Sequence, residues 1–249
     1  MSGTLYGIGV GPGDSELMTL KALRILRECP VVAYPAPDNG ESFARQIAAP
    51  FISEDQSEIP IVIPMRVERF PAQEVYDAVS HKIAEHLRHD RDVVVLCEGD
   101  PFFYGSFMYL YERLADKFEC EVVPGVSSMM AGASALGRPL AARNDVLTVI
   151  PAPLPDEDIS RQLKSCDAAS IIKIGRHFER IHSLLTKAKL IDCCGYLERI
   201  SLPTQKIMPL ASVNPTEVAP YFSMILMYKG AEDWVSNLPI PEKEAERLQ

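Results

Sequence analysis

Residues 93–107, VVVLCEGDPFFYGSF, decide how this chain reads. Val93-Val94-Val95-Leu96 is a short apolar run rich in β-branched side chains, the composition of a strand buried on both faces of a parallel sheet. The run breaks into Glu98-Gly99-Asp100-Pro101, which no strand or helix interior tolerates. Gly99 can take a positive φ or admit a close neighbour. Pro101 fixes its own φ and pushes Asp100 towards an extended conformation. A turn therefore opens past the carboxyl end of the strand, where open α/β sheets place their ligands. It carries two carboxylates and aromatic rings, and Gly105 closes it. Two readings stand: an ordinary strand-to-helix loop with Asp100 as N-cap, or a ligand loop.

Upstream, residues 5–10 (LYGIGV) form a strand that enters Gly11-Pro12-Gly13-Asp14. Leu17, Leu20, Ala22, Leu23 and Leu26 recur at helical spacing, so a helix follows at once, with Asp14 and Ser15 at its N-cap. A dinucleotide-binding G-x-G-x-x-G starting at Gly7 needs glycine where Pro12 stands, so that reading fails and either a structural turn or another small-molecule loop remains. Residues 30–34 form a second strand ended by Pro35 and Pro37, and residues 59–64 a third, whose prolines mark an edge or bulge. Arg66 and Arg69 fall in a loop, residues 73–89 are helical, and a further helix covers 106–117. Strands alternating with helices predict an α/β domain with a mainly parallel sheet, ending near Phe118.

Beyond it, residues 120–124 form a strand that leads into Gly125-Val126-Ser127-Ser128 and a helix rich in small residues (Ala131, Gly132, Ala133, Ala135). Those side chains admit either a ligand or a tightly packed neighbour. Strands are expected at 147–150, 169–174, 193–197, 206–209 and 224–228, with helices at 159–163 and 178–187. More strand per helix predicts a mixed sheet with antiparallel edges. From Trp234 the chain is polar and proline-spaced, the pattern of a mobile tail.

At 249 residues the chain holds one large domain or two smaller ones. Net charge is −9 with no Lys/Arg block, which argues against a nucleic-acid partner. No apolar run approaches a membrane span, and the amino terminus has no signal-peptide pattern, so no membrane role and a cytoplasmic location are expected. Six cysteines without a CxxC pair point to a reduced protein without a zinc site, and the five histidines show no metal spacing.

Four stretches together, GIGVGPGDSELMTLKA at 7–22, GDPFFYG at 99–105, PGVSS at 124–128 and KIG at 173–175, resemble the tetrapyrrole (corrin/porphyrin) methylase family in order and spacing. Within it, CEGDPFFYGSF with YPAP at 34–37 is most similar to the branch acting on precorrin-2 at C-20. Relatives often carry GGDP where Glu98-Gly99-Asp100-Pro101 stands here. The resemblance implies two αβα domains, here 1–119 and 120–249, with S-adenosylmethionine in the cleft between them, S-adenosylhomocysteine as its product, a tetrapyrrole substrate and a homodimer. It implies cofactor contacts at Pro12, Gly99, Asp100, Pro101, Phe102, Phe103, Ser127, Ser128, Ile174, Tyr196 and Ile225. Ile174 stands where relatives often have methionine.

Such methyl transfer needs positioning and exclusion of water more than a nucleophile or metal. A base to take the final proton is expected among Glu98, Asp100 and Tyr104. The eight carboxylates of precorrin-2 call for arginine, and Arg66, Arg69, Arg138, Arg143 and Arg176, with His177, lie in or beside the predicted loops. A cobalt-loaded substrate, another ring position, or a nucleotide-binding module without catalysis stay open as alternatives.

Overall fold

The computed structural model describes residues 2–38, 40–63 and 70–244, without the side chains of residues 70–72 and 244. The chain divides into two compact units, Met1–Ser127 and Ser128–Gln249.

The first unit contains strands β1 (Leu5–Gly9), β2 (Val31–Pro37), β3 (Ser57–Ile63), β4 (Val93–Cys97) and β5 (Cys120–Val123), with helices α1 (Leu20–Glu28), α2 (Phe43–Ala48), α3 (Phe70–Arg88) and α4 (Phe107–Leu114). The strands pair in the order β3-β2-β4-β1-β5, and every pairing is parallel. β4 is central, and each of its residues is buried. Successive side chains of a strand point to opposite faces. Val93, Val95 and Cys97 accordingly pack with Tyr76, Ile83 and Leu87 of α3 and Leu110 of α4, while Val94 and Leu96 pack with Ala22, Ile25 and Leu26 of α1 and Ile47 of α2. A run apolar at every position is what this doubly covered strand requires.

Four local expectations change. Asp14 caps a short 3-10 turn at Ser15–Leu17, and Thr19 caps α1 by accepting the Ala22 N–H at 3.2 Å. β2 does not stop at Pro35 but runs to Pro37 beside the edge strand β3. Its pairing with β4 ends at Ala33, so the prolines fall where β2 has a neighbour on one side only. Helix α2 was not expected; it is six residues long and is started by Ser42, whose Oγ accepts the Arg45 N–H. β5 pairs with β1, so the residues expected to open the second half complete the first sheet. Arg66 and Arg69 lie outside the described residues.

The second unit contains α5 (Ser128–Leu136), β6 (Leu147–Pro151), α6 (Asp156–Ser165), β7 (Ala168–Ile172), α7 (Phe178–Lys187), β8 (Cys194–Glu198), β9 (Lys206–Pro209), β10 (Ser223–Tyr228), α8 (Asp233–Ser236) and β11 (Lys243–Glu244). Its sheet runs β11-β9-β8-β10-β7-β6, parallel at β6–β7 and antiparallel elsewhere. Ile159, Phe178, Ile181 and Leu185 pack from α6 and α7 onto one face. On the other face α5 comes close: a Cβ on Gly132 would sit 3.0 Å from Leu197 Cδ2. Tight helix packing therefore accounts for glycine at this position of the small-residue helix.

The carboxyl end is also ordered differently from expectation. α8 buries Val235 completely, and β11 extends the sheet beside β9. Burial of one apolar anchor and a ladder of backbone hydrogen bonds outweigh the polar composition that predicted a mobile tail. Among the described residues, no helix is long and apolar enough to cross a membrane.

Candidate active site

Three loops leave the carboxyl ends of β1, β4 and β5 and meet within the first unit. Gly11 and Gly99 form an isolated antiparallel bridge, with the Gly99 N–H donating to Gly11 O at 2.8 Å. The Val10 N–H donates to Cys97 O at 2.9 Å. Gly11 has φ +83° and Gly99 φ +64°, so both occupy the left-handed region that glycine adopts without strain. The third loop enters at Gly125, where an added Cβ would stand 2.0 Å from Gly99 O and 2.7 Å from Gly9 Cα. Only glycine lets the three backbones approach this closely. Each glycine is visible in the sequence, but their contact with one another is not.

Asp100 ties the loops together. One carboxylate oxygen accepts the Phe102 and Phe103 N–H groups at 2.9 and 3.0 Å, and the other accepts the Gly125 N–H at 3.0 Å. It does not cap α4, whose N-cap is Ser106. With three amides on its two oxygens, Asp100 is a staple between the β4 and β5 loops. Its carboxylate is already engaged, which argues against the expected role as a base.

Glu98 is in a different setting. Burial pushes its carboxyl above the usual carboxylate range, opposed by backbone hydrogen bonds at Glu98 itself and at Ala44 of α2. Among the described residues, no cation contributes to its shift. Of the two carboxyls, Glu98 is the one whose environment favours taking up a proton. Tyr104, the third expected base, stands exposed at φ +57°, a left-handed value for a residue with a side chain. Strain of this kind clusters where a loop serves a ligand. Its ring meets Phe103 edge-on at 5.1 Å, and exposed Phe102 meets Tyr111 edge-on at 5.2 Å. Pro12, Pro101 and Ser127 are buried, and partly buried Ser128 opens α5.

The residues expected to hold cofactor from the second unit lie elsewhere than foreseen. Ile174, Tyr196 and Ile225 belong to its hydrophobic core and are at most 1% exposed. Tyr196 donates its hydroxyl to Glu198 Oε1 at 2.7 Å, and burial with that carboxylate pushes its pKa up. The side chains at these three positions fill the core of the second unit. A large apolar side chain at a strand end or within a strand reads alike whether it faces a ligand or a core, so sequence pattern does not separate them.

The arginines divide as well. Arg138 is buried and donates from Nη2 to Val235 O at 2.7 Å, which anchors α8; it is not an exposed arm for a substrate carboxylate. Burial lowers its pKa. Arg143, at φ +45°, pairs with Glu232 at 2.9 Å. Arg176 remains exposed beside His177, whose pKa is lowered by burial first and then by Arg180 and Arg176. Among the described residues, no group of three or more His, Cys, Asp or Glu is placed to hold a metal ion.

The loop segments 5–18, 97–106 and 123–128 contain no lysine or arginine. A neutral backbone cradle with carboxyls and aromatic rings suits a positively charged or neutral ligand.

Comparison with known proteins agrees with this chemistry. Residues 4–213 match the family described as Tetrapyrrole (Corrin/Porphyrin) Methylases, and the chain belongs to that family. It is 40% identical over 236 residues to the cobalamin biosynthesis protein CobIJ of Mycobacterium tuberculosis, a match covering 92% of this chain and 46% of that protein. The chain thus spans about half the length of the CobIJ relatives it matches. It is 36% identical to the precorrin-2 C(20)-methyltransferase of a Sinorhizobium species, over 90% of this chain and 95% of the relative. Among solved structures, the methyltransferase CobJ superposes with a TM-score of 0.69 at 22% identity, covering 92% of this chain and 95% of that one, a likeness of fold.

Proposed function

We propose that the protein transfers a methyl group from S-adenosylmethionine to C-20 of precorrin-2, giving precorrin-3A in cobalamin biosynthesis. The substrate assignment is carried by the 36% identity to a precorrin-2 C(20)-methyltransferase across almost the full length of both chains. The cofactor assignment rests on the match to the tetrapyrrole methylase family, and loops that carry carboxyls without lysine or arginine are compatible with a sulfonium cation. A solved uroporphyrin-III C-methyltransferase of Thermus thermophilus in complex with S-adenosylhomocysteine has the same fold, at a TM-score of 0.66 and 24% identity. The resemblance adds a cytoplasmic homodimer.

The residues that would hold the cofactor are Pro12, the backbone from Gly99 to Phe103, and Ser127 with Ser128. These residues would hold S-adenosylmethionine, whose sulfonium would supply a methyl group to the electron-rich meso carbon, the carbon–sulfur electron pair remaining on sulfur. Asp100 keeps the β4 and β5 loops in register for that displacement. Glu98 is the residue we assign to take the C-20 proton, because its carboxyl is shifted towards the range where a base works near neutral pH. Positioning of this kind supplies up to roughly 7–11 kcal/mol of a barrier.

A second reading, transfer to cobalt-precorrin-2, is favoured by 29% identity to the Salmonella typhimurium enzyme of that name, over 92% of this chain and 98% of the relative. Incubating the protein with methyl-labelled S-adenosylmethionine and each substrate separates the two. One labelled methyl gained by metal-free precorrin-2, with S-adenosylhomocysteine released, supports the first reading. Gain only by the cobalt form supports the second, and gain by neither refutes both.

A further inference from the structure

Past Ala33 the first sheet opens. β2 pairs with β4 only as far as Ala33 and Val95, then continues beside β3 alone through Tyr34-Pro35-Ala36-Pro37. The chain returns through Ser42 into α2, whose Ala44 and Ile47 share one apolar cluster with Leu96 of β4. Glu98 is the first residue past β4, and its carboxyl accepts the Ala44 N–H. As the second residue of α2, Ala44 has no acceptor for that N–H within the helix. Glu98 therefore satisfies a buried amide that the helix itself leaves open.

Ser42 sets the direction of that amide. Its side chain is buried, and its hydroxyl is used twice, donating to Pro35 O and accepting the Arg45 N–H at 3.2 Å. An ordinary helix cap needs only the second of these bonds. The first ties the start of α2 to the stretch of β2 that has left β4. On the other side of Ala44, Arg45 gives Glu58 of β3 two hydrogen bonds, at 2.6 and 2.8 Å, and lies 6.0 Å from the centre of the Tyr34 ring. Ala44 thus stands between two anchored residues, with its N–H held on Glu98.

Resting on the assignment of Glu98 as the group that takes the C-20 proton, we propose that Ser42 is a positioning residue for Glu98, acting through the Ala44 amide. That amide favours the ionised carboxylate, the form able to accept a proton. As the proton moves to a Glu98 oxygen, the C–H electron pair returns to the macrocycle and the carboxyl becomes neutral. Among the described residues, the titratable groups that face Glu98 are Cys97 of β4 and Tyr76 of α3, with Asp100 facing Cys97 from the next turn. Burial pushes both the Cys97 thiol and the Tyr76 phenol up, so both stay neutral and neither replaces the amide.

Two readouts test this. In protein carrying 13C at the glutamate side-chain carboxyls, the Glu98 resonance is the one missing from Glu98→Gln. Titrated without substrate, it should reach its midpoint at higher pH in Ser42→Ala than in wild type, and Ser42→Thr, which keeps the hydroxyl, should restore it. In turnover of precorrin-2, the ratio of wild-type to Ser42→Ala kcat should be roughly 3- to 10-fold larger on the acid limb than on the alkaline plateau, the range for weakening one hydrogen bond. In a Glu98→Gln background, Ser42→Ala should add no pH dependence.

An unmoved Glu98 midpoint in folded Ser42→Ala overturns the inference and leaves Glu98 as the base. A pH–rate profile unchanged by Glu98→Gln removes Glu98 as the base and Ser42 from the reaction with it. Loss of cofactor affinity at every pH without movement of the acid limb marks a collapsed turn and also overturns it. Wild type that does not methylate precorrin-2 removes the functional reading, while the carboxyl titration still decides whether Ser42 acts on Glu98. If Ser42→Ala does not fold, Ser42→Gly, which a cap position tolerates, carries the same measurements. Failure of both to fold beside a normal Ser42→Thr makes Ser42 a structural residue only and overturns the proposal.

Discussion

Replacing Asp100 separates a structural carboxylate from a reacting one. Asp100→Asn keeps one oxygen for the Phe102 and Phe103 amides but turns an NH2 group towards the Gly125 N–H, 3.0 Å away in the native loop. Donor then faces donor. A hydrogen bond to a charged group contributes about 1.5–3 kcal/mol. Asp100 is only partly buried, so roughly 1–2 kcal/mol is expected for Asn. Asp100→Ala loses all three contacts and leaves three amides seeking water, which should cost roughly 3 kcal/mol. At roughly 2–4 °C per kcal/mol for a chain of this size, thermal unfolding should shift by about 2–8 °C for Asn and about 6–12 °C for Ala. The two units need not melt together, so the transition is followed by calorimetry. Cofactor affinity should fall in step with stability, because the same loops serve both. Native stability in Asp100→Ala together with a thousandfold loss of kcat would refute the staple and make Asp100 a reacting group.

Three further substitutions test the same geometry. Glu98→Gln should abolish the acid limb of the kcat profile if Glu98 takes the C-20 proton; an unchanged pH–rate profile removes it. Because burial raises the Glu98 pKa in the folded state, its stabilising protonated form is fully present below the unfolded carboxylate range and is lost as pH rises through the folded value. Urea titrations should therefore find Glu98→Gln no less stable than wild type at pH 8, with that advantage shrinking towards pH 4. Gly125→Ala places a Cβ against backbone on two sides and should cost more than about 3 kcal/mol, with poor recovery of folded protein; normal melting would contradict the packed crossing of the loops. Arg138→Met should change stability by less than about 1.5 kcal/mol, since it removes one hydrogen bond along with a costly buried charge. Faster proteolysis near Trp234 in that variant would confirm that Arg138 anchors α8.

Much of the fold was legible because burial writes itself into composition. A strand covered on both faces must be apolar at each position, and residues 93–97 are. Pro60 of β3 fits the edge position that strand occupies. What could not be read depends on partners distant in sequence. Nothing local distinguishes Asp100 as a cap from Asp100 as a clasp to Gly125. Arg138 looks like any loop arginine until Val235 folds over it. Helix α2 is too short for a period, and residues beyond Trp234 hide one buried anchor, Val235, within a polar stretch. At the site, the glycine loops are legible as loops, whereas nothing local in the sequence shows that the side chains of Ile174, Tyr196 and Ile225 fill a core.

The central claim is transfer of one methyl group to one carbon, and carbon NMR of the product tests it most directly. With 13C-methyl S-adenosylmethionine and precorrin-2, a single new methyl resonance attached at C-20 is predicted. Label appearing at any other ring carbon, or none in a product formed under conditions where the cofactor is bound, would contradict it.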